Sequence, residues 1–264
     1  MRKPFLAALL LAAAASAAAW LMWERARQPP QPPPKQVTVI DPNDRVAVAR
    51  QERASLIEEK YHAVAVDYPG EVFIRWLKHE AILELWARSD AHRRFRLVGS
   101  YPILATSGIP GPKHREGDRQ VPEGFYEIIR FNPESDYHLS MGLNYPNAAD
   151  LVNADPQQPG SDIYIHGSNV SIGCAPLGDE AIEEVYLAAA DAKAAGQTKI
   201  PVHIFPARMT GPEWEAFSSS EIERRPELAE FWAQLKPAYD SFERRRLVPE
   251  VEVTPDGKYV VPNP

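Results

Sequence analysis

The chain of 264 residues contains only one cysteine, Cys174. A lone cysteine excludes both an intramolecular disulfide framework and a CxxC zinc site. The sequence also lacks an HExxH motif, a carboxylate cluster and a glycine-rich phosphate loop, so neither a metal nor a cofactor is expected. Two interpretations of Cys174 remain open: a buried packing residue, or a thiol kept for its chemistry.

The composition is 44% hydrophobic and 25% charged, which excludes a collagen-like, wholly disordered or polytopic membrane protein. The first 34 residues carry four basic groups and one acid. The remainder therefore carries 25 basic and 35 acidic groups, a net charge of −10. A domain this acidic is a poor nucleic-acid binder, so no nucleic-acid partner is expected.

Residues 1–23 predict a signal peptide or a membrane anchor. Arg2 and Lys3 precede 19 uncharged, mostly apolar residues from Phe5 to Trp23. Small-residue triplets in this run would allow cleavage, whereas its length would allow retention in the inner membrane, and both alternatives stay open. Residues 24–45 form a proline-rich linker that holds a domain away from the membrane. The remainder of the chain is expected in the periplasm.

The pattern of apolar residues downstream predicts a mostly β domain with peripheral helices, an α+β fold, over residues 46–210. Strands are predicted over 72–77, 82–88, 95–104, 125–131, 137–141, 162–166 and 200–205. Helices are predicted over 46–62 and 179–195, the second with Asp179 as its N-cap. Residues 211–264 form a helical C-terminal extension, with a helix over 226–246. Residues 108–124 are rich in turn-forming types and predict a long functional loop.

His166 ends a predicted strand, and Cys174 follows eight residues later. An imidazole close to a thiol can remove its proton and so produce the reactive thiolate. Gly173 allows the backbone to approach a substrate, and the amides of Gly173 and Cys174 are predicted to be free to bind an oxyanion. His203 lies in an apolar strand and is predicted to be a core histidine with its hydrogen bonds satisfied.

The stretch IYIHGSNVSIGC resembles the HG…SxGC signature of the L,D-transpeptidase (YkuD-type) catalytic domain. Three further stretches resemble the same family, and within it the chain is most similar to the YafK-like murein subgroup: GPKHREGDRQVPEGFYEI, LNYPNAAD and IPVHIFPARMT. The resemblance implies a β-sandwich-like catalytic domain that acts on peptidoglycan stem peptides. It also implies that Cys174 is the nucleophile, that His166 is the general base and acid, and that the Gly167 carbonyl orients the imidazole.

Stem peptides carry carboxylates, so basic residues near the cysteine are candidates to bind them. The candidates for substrate binding are the basic residues of the long loop, Ser171 of the signature, an aromatic residue and an arginine beside the last strand: Lys113, Arg115, Arg119, Ser171, Tyr145 and Arg208. Many family members carry an arginine or asparagine shortly after the cysteine. Ala175 and Pro176 stand there in this chain, which leaves the carboxylate-binding residues undetermined.

Three functions are compatible with these residues. The first is a cysteine-dependent L,D-transpeptidase that forms a thioester with a stem peptide and passes it to an amine. The second is a hydrolase of the same fold that cuts a peptidoglycan peptide or a protein–peptidoglycan amide, which would make a peptidoglycan-linked lipoprotein a partner. The third is a non-catalytic cell-wall-binding protein, held at the inner membrane through residues 1–23.

Overall fold

The computed structural model describes residue 41 and residues 43–89 and 94–264. The predicted signal peptide or anchor and most of the predicted linker, residues 1–40, lie outside the described residues. Within the described part of the chain, no helix is both long enough and apolar enough to cross a membrane.

Eight strands form one sheet in the order β3-β2-β1-β8-β4-β5-β6-β7. Their bounds are β1 Glu71–Leu77, β2 Ile82–Arg88, β3 Arg96–Pro102, β4 Gly124–Ser135, β5 His138–Leu143, β6 Tyr164–His166, β7 Ala175–Pro176 and β8 Pro201–Phe205. The sheet curls on itself, so that β3 and β7, at the two ends of the strand order, come together. There the amide of Leu104, just past β3, donates to the Pro176 carbonyl of β7 at 2.9 Å. The curl brings the two ends of the strand order together, and the candidate site lies at this seam.

Helices cover one face of the sheet. Helix α1, Arg45–Ala63, and helix α3, Asp179–Ala194, pack on each other. Helix α3 also packs on β1 and β5, and helix α1 contacts β3, β4 and β5. Ion pairs reinforce the contact between the helices, among them Arg50 with Asp191 at 2.6 Å. The short helix α2, Ala148–Asn153, follows β5 and begins with a capping box.

The C-terminal residues cover the other face. Helix α4, Gly211–Arg224, and helix α5, Glu227–Arg245, precede a small hairpin of β9, Glu252–Val253, and β10, Tyr259–Val260. Buried residues of α5 pack on Leu77 and Phe205 at the ends of β1 and β8: Trp232, Leu235 and Tyr239. Since β1 is covered from both sides, six of its seven residues are buried.

The predicted fold class, mostly β with peripheral helices, is confirmed. The prediction that Asp179 is an N-cap is wrong, because α3 begins at Asp179 itself and its N-cap is Gly178. The Asp179 carboxylate instead accepts a hydrogen bond from the Ser168 amide at 2.8 Å. It therefore anchors the loop between His166 and Cys174 to the start of α3.

His203 is buried between the rings of Phe73 and Phe125, each 4.8 Å from its own ring. The prediction that its hydrogen bonds are satisfied is wrong, because its Nδ1 has no hydrogen-bond partner among the described residues. An apolar strand predicts burial but does not reveal whether a partner lies across it. Burial, with a smaller effect from Arg75, lowers the pKa of His203 to about 3.

This lowered pKa predicts acid sensitivity. Below the ordinary pKa of 6.5, His203 binds a proton in the unfolded chain but stays neutral in the folded chain. The free energy of unfolding therefore falls as the pH falls from 6.5 towards 3. We expect His203 to remove about 2 kcal/mol from the free energy of unfolding between pH ~7.5 and pH ~5. Denaturant unfolding of wild type and His203→Leu at both pH values should show this difference. His62→Leu, at an exposed position, is the control, and an equal loss in wild type and His203→Leu would contradict the assignment.

Candidate active site

The strand register puts Cys174 and His166 on the same face of the sheet. Strands β6 and β7 are parallel, with Ile165 opposite Ala175 and His166 opposite Pro176. Ile165 and Ala175 point into the core. Because side chains alternate along a strand, His166 of β6 and Cys174, the residue directly before β7, both point away from that core.

The His166 imidazole is held in one orientation. Its Nδ1 lies 2.6 Å from the Gly167 carbonyl, which can only accept, so Nδ1 carries the proton and Nε2 carries the free electron pair. The Tyr137 ring lies against the imidazole, with 4.9 Å between the centroids. Burial lowers the pKa of His166, and the hydrogen bond to Gly167 opposes this. The imidazole is therefore a neutral base at neutral pH.

The Cys174 thiol is half-buried and bound by the backbone. The Tyr164 amide donates to Sγ at 3.4 Å, and the thiol donates to the Asp162 carbonyl at 3.6 Å. Burial raises the pKa of the thiol; the Tyr164 amide and Lys113 oppose this, and the Asp162 charge adds to it. Among the described residues no hydrogen bond joins Sγ to His166, so the resting pair is a neutral thiol and a neutral imidazole.

The backbone amides before and at the cysteine are occupied. The Gly173 amide donates to the Ser107 hydroxyl at 2.8 Å, and the Cys174 amide donates to the Ser171 hydroxyl at 2.9 Å. The prediction that these two amides are free is therefore wrong for this state. The cause is local for Ser171, whose hydroxyl also donates to the Cys174 carbonyl at 2.7 Å and closes a tight turn. An oxyanion would have to displace both hydroxyls.

Gly173 occupies a backbone conformation that only glycine adopts easily, with φ at 91°. A Cβ at this position would also lie 3.1 Å from the Gln120 carbonyl of the long loop. The loop between β3 and β4 thus packs directly on the residue before the cysteine.

A largely buried lysine, Lys78, fixes the shape of that loop. Lys78 Nζ donates to the carbonyls of Gly111 and Val121 and to Glu123, at 2.8 Å each. The Glu123 carboxylate also accepts from the Trp232 indole at 2.8 Å, which ties the loop to α5. Burial lowers the pKa of Lys78, although Glu123 opposes it.

The candidate substrate residue Lys113 is buried and ion-paired. Its Nζ lies 2.6 Å from Asp118 and donates to the Arg115 carbonyl at 2.9 Å. Burial alone would raise the pKa of Asp118, but hydrogen bonds from Lys113 and from three backbone amides outweigh it and lower the pKa. In this structure the Lys113 charge is committed to shaping the loop.

The remaining candidates lie in three different settings. Arg115 and Arg119 are exposed on the loop, and the Arg119 carbonyl accepts from the same Ser107 hydroxyl that holds Gly173. Tyr145 is buried beneath Lys113 and donates to the Pro159 carbonyl at 2.7 Å. Arg208 pairs with Glu84 of β2 at 2.9 Å and makes no contact with the Cys174 loop among the described residues.

Sequence reasoning missed several residues around the Cys174–His166 pair: Ser107, Tyr137, Asp162 and Tyr164. Asp162 and Tyr164 had a signal in the sequence, because they alternate with His166 along the predicted strand and so share its face. Ser107 and Tyr137 reach the site through tertiary contacts from separate parts of the chain. No group of three or more His, Cys, Asp or Glu side chains in the described ranges is arranged to hold a metal ion.

Comparison with known proteins bears directly on this arrangement. Residues 78–204 match the YkuD family, the L,D-transpeptidase catalytic domain. A protein of Escherichia coli K12 named "Putative L,D-transpeptidase YafK" is 36% identical over 195 residues, which cover 73% of this chain and 74% of that protein. This chain belongs to the YkuD family of L,D-transpeptidase catalytic domains.

The matched range of the L,D-transpeptidase domain contains His166, Cys174 and the whole loop between β3 and β4. Helix α1, the whole of β1 and the C-terminal helices lie outside it. Among solved structures, the helical cell shape determining protein Pgp2 from Campylobacter jejuni is 18% identical. The similarity covers 75% of this chain and 80% of that one, with a TM-score of 0.40.

Proposed function

We propose that this protein is an exported, cysteine-dependent peptidoglycan L,D-transpeptidase that acts on stem peptides through a thioester on Cys174. The proposal rests chiefly on one observation: His166 of β6 and Cys174, directly before the adjacent strand β7, share one face of the sheet inside an L,D-transpeptidase catalytic domain. The held tautomer of His166 supports it, because Nε2 is the nitrogen that can accept a proton.

In the first half-reaction the His166 Nε2 takes the thiol proton as Sγ attacks the carbonyl carbon of an L-centre/D-centre peptide bond. The tetrahedral oxyanion then collapses and the C–N bond breaks. The imidazolium returns the proton to the departing amine, and the acyl group remains on Sγ as a thioester. The raised thiol pKa and the lowered imidazole pKa mean that the proton moves only as attack occurs.

In the second half-reaction an amine of another peptide attacks the thioester while His166 accepts its proton. The C–S bond breaks, and the thiolate takes the proton back. If water attacks instead, the same steps release an acid and the enzyme is a hydrolase. The amides of Gly173 and Cys174 are suited to bind the oxyanion once the hydroxyls of Ser107 and Ser171 turn away.

We also place the enzyme in the periplasm, anchored to or released from the inner membrane. Residues 1–23 support export, because two basic residues precede the apolar run. Arg115 and Arg119, exposed on the loop beside Gly173, are suited to attract the carboxylates of stem peptides. A peptidoglycan-linked lipoprotein is the partner if the bond cut joins protein to peptidoglycan.

Mass spectrometry of muropeptides tests the reaction. Purified sacculi, with and without linked lipoprotein, are incubated with the wild type and with Cys174→Ala. We expect new crosslinked muropeptides with the wild type alone, because the alanine side chain has no nucleophilic atom to carry the acyl group to an amine. Shortened stems or released lipoprotein would instead identify the hydrolase. Binding to sacculi with no change in any muropeptide would contradict both and favour the wall-binding protein.

A further inference from the structure

A row of residues crosses four strands on the face that carries Cys174. Arg130 of β4 is paired with Gly142 of β5, which is paired with Tyr164 of β6. Cys174 lies one residue before the pair of Ile165 and Ala175, and so extends this row beyond Tyr164. The next residues along the strands form or pack against the core: Phe131, Met141, Ile165 and Ala175. The row therefore faces away from the core, as the thiol does.

Gly142 leaves a gap that the Tyr164 ring fills. A Cβ at Gly142 would lie 3.0 Å from Tyr164 Cε1 and 3.4 Å from the Arg130 Cβ. The ring lies across the glycine, and its hydroxyl accepts a hydrogen bond from Arg130 Nη1 at 2.7 Å. The same hydroxyl donates to Asp162 Oδ1 at 3.2 Å. Tyr164 thus contacts both groups: its hydroxyl binds the Arg130 guanidinium, and its backbone amide binds the Cys174 thiol.

The charge of Arg130 is available to a ligand. Arg130 is exposed, and within the described ranges its guanidinium takes part in no ion pair. The charges of Lys113 and Arg208, in contrast, are paired with Asp118 and Glu84. A guanidinium has five N–H donors, and Tyr164 uses only one nitrogen, so Arg130 retains donors for a bidentate contact.

We propose that Arg130, oriented by Tyr164, binds a carboxylate of the peptide that Cys174 attacks. This inference rests on the proposed function, because it names the substrate group that the same site recognises. Arg130 stands on the β4 side of the thiol, whereas the loop that carries Arg119 contacts Gly173 from the other side.

The spacing fits an extended peptide. Three strand separations of about 4.8 Å put the Arg130 backbone roughly 14 Å from that of Cys174. The side chain of Arg130 leans back towards Tyr164, which shortens the reach to the thiol. Since an extended chain spans about 3.3–3.6 Å per residue, the bound carboxylate belongs to a residue within about four positions of the scissile carbonyl.

Binding measurements on the full chain in the Cys174→Ala background test the inference without any turnover. The probe is a soluble tetrapeptide stem with free carboxylates, together with forms of it amidated at one carboxylate each. We expect Arg130→Met to raise Kd about 10- to 100-fold, the usual loss for a hydrogen-bonded charge. Arg130→Lys should fall between, because it keeps the charge and loses the fork. Arg96→Met, at an exposed arginine on β3, should bind like its parent.

Amidation identifies the carboxylate. For one amidated peptide we expect the Kd of the Cys174→Ala parent to rise by the same factor that Arg130→Met produces with the free peptide. Arg130→Met should bind that amidated peptide no more weakly than the free one, because both changes remove the same interaction. An unchanged Kd for Arg130→Met, or equal losses for every amidated peptide, would overturn the inference. Tight, Arg130-dependent binding by a wild type that never forms a thioester would instead refute the proposed function alone.

Discussion

The Cys174→Ala variant should lose at least about 10⁴-fold in turnover of stem peptides while keeping its fold. Without Sγ no atom at this position can hold the acyl group, and His166 has no thiol proton to remove. The fold should survive, because the two hydrogen bonds of Sγ to described residues, with the Tyr164 amide and the Asp162 carbonyl, are long and weak. Turnover is measured by mass spectrometry of the products, and the fold by the melting temperature.

Cys174→Ser is the matched variant. It keeps a hydrogen-bonding group of similar size but has a far weaker nucleophile, so its turnover should fall almost as far. Turnover by Cys174→Ala near the wild-type rate would mean that another residue is the nucleophile. Loss of turnover together with a large drop in the melting temperature would favour Cys174 as a packing residue.

The His166→Gln variant should lose about 10²- to 10⁴-fold in the rate of thioester formation, the usual contribution of a general base. The effect depends on pH in a defined direction. Burial lowers the pKa of His166 from its ordinary 6.5, so the wild type should stay active below pH 6.5 until the imidazole is protonated. The rate of the wild type therefore falls only on the acid side of 6.5, and the variant should lack this limb.

Stopped-flow measurement of acylation against pH tests this role. His62→Gln, at an exposed histidine of α1, should behave like the wild type. An acid limb retained in His166→Gln would assign the titration to another group. A limb centred well above 6.5 in the wild type would contradict the buried, neutral imidazole.

The sequence predicted the elements whose patterns are local. Seven of the eight strands of the sheet begin and end within about four residues of the predicted ranges, because short runs rich in apolar residues are separated by turn-forming residues. Strand β7, only two residues long, was not predicted. The pairing of His166 with Cys174 was predictable chiefly because IYIHGSNVSIGC resembles the family signature, since a histidine and a cysteine eight residues apart are weak evidence alone. Helix α4 was not predicted separately, because none of its residues is buried and its pattern is weak.

Features that depend on contacts distant in sequence could not be predicted. Ser107 reaches the Gly173 amide across 66 residues, and nothing near either residue indicates the hydrogen bond. The sequence offers Lys113 as a charge that could bind substrate, but in the folded loop its Nζ forms an ion pair with Asp118. Arg130 joins the row of Cys174 only because the β4–β5 register shifts between Ile128 and Arg130. Such shifts are set by packing across strands and not by the local pattern.

The most direct test of the account is the mass of the enzyme during turnover. Wild-type protein is mixed with a soluble stem peptide, quenched in acid within the first turnovers, digested and analysed by mass spectrometry. We expect the mass of the acyl part of the peptide, joined through a thioester, on the fragment that contains Cys174. Product formation with no adduct on Cys174, or with the adduct on another residue, would contradict the account.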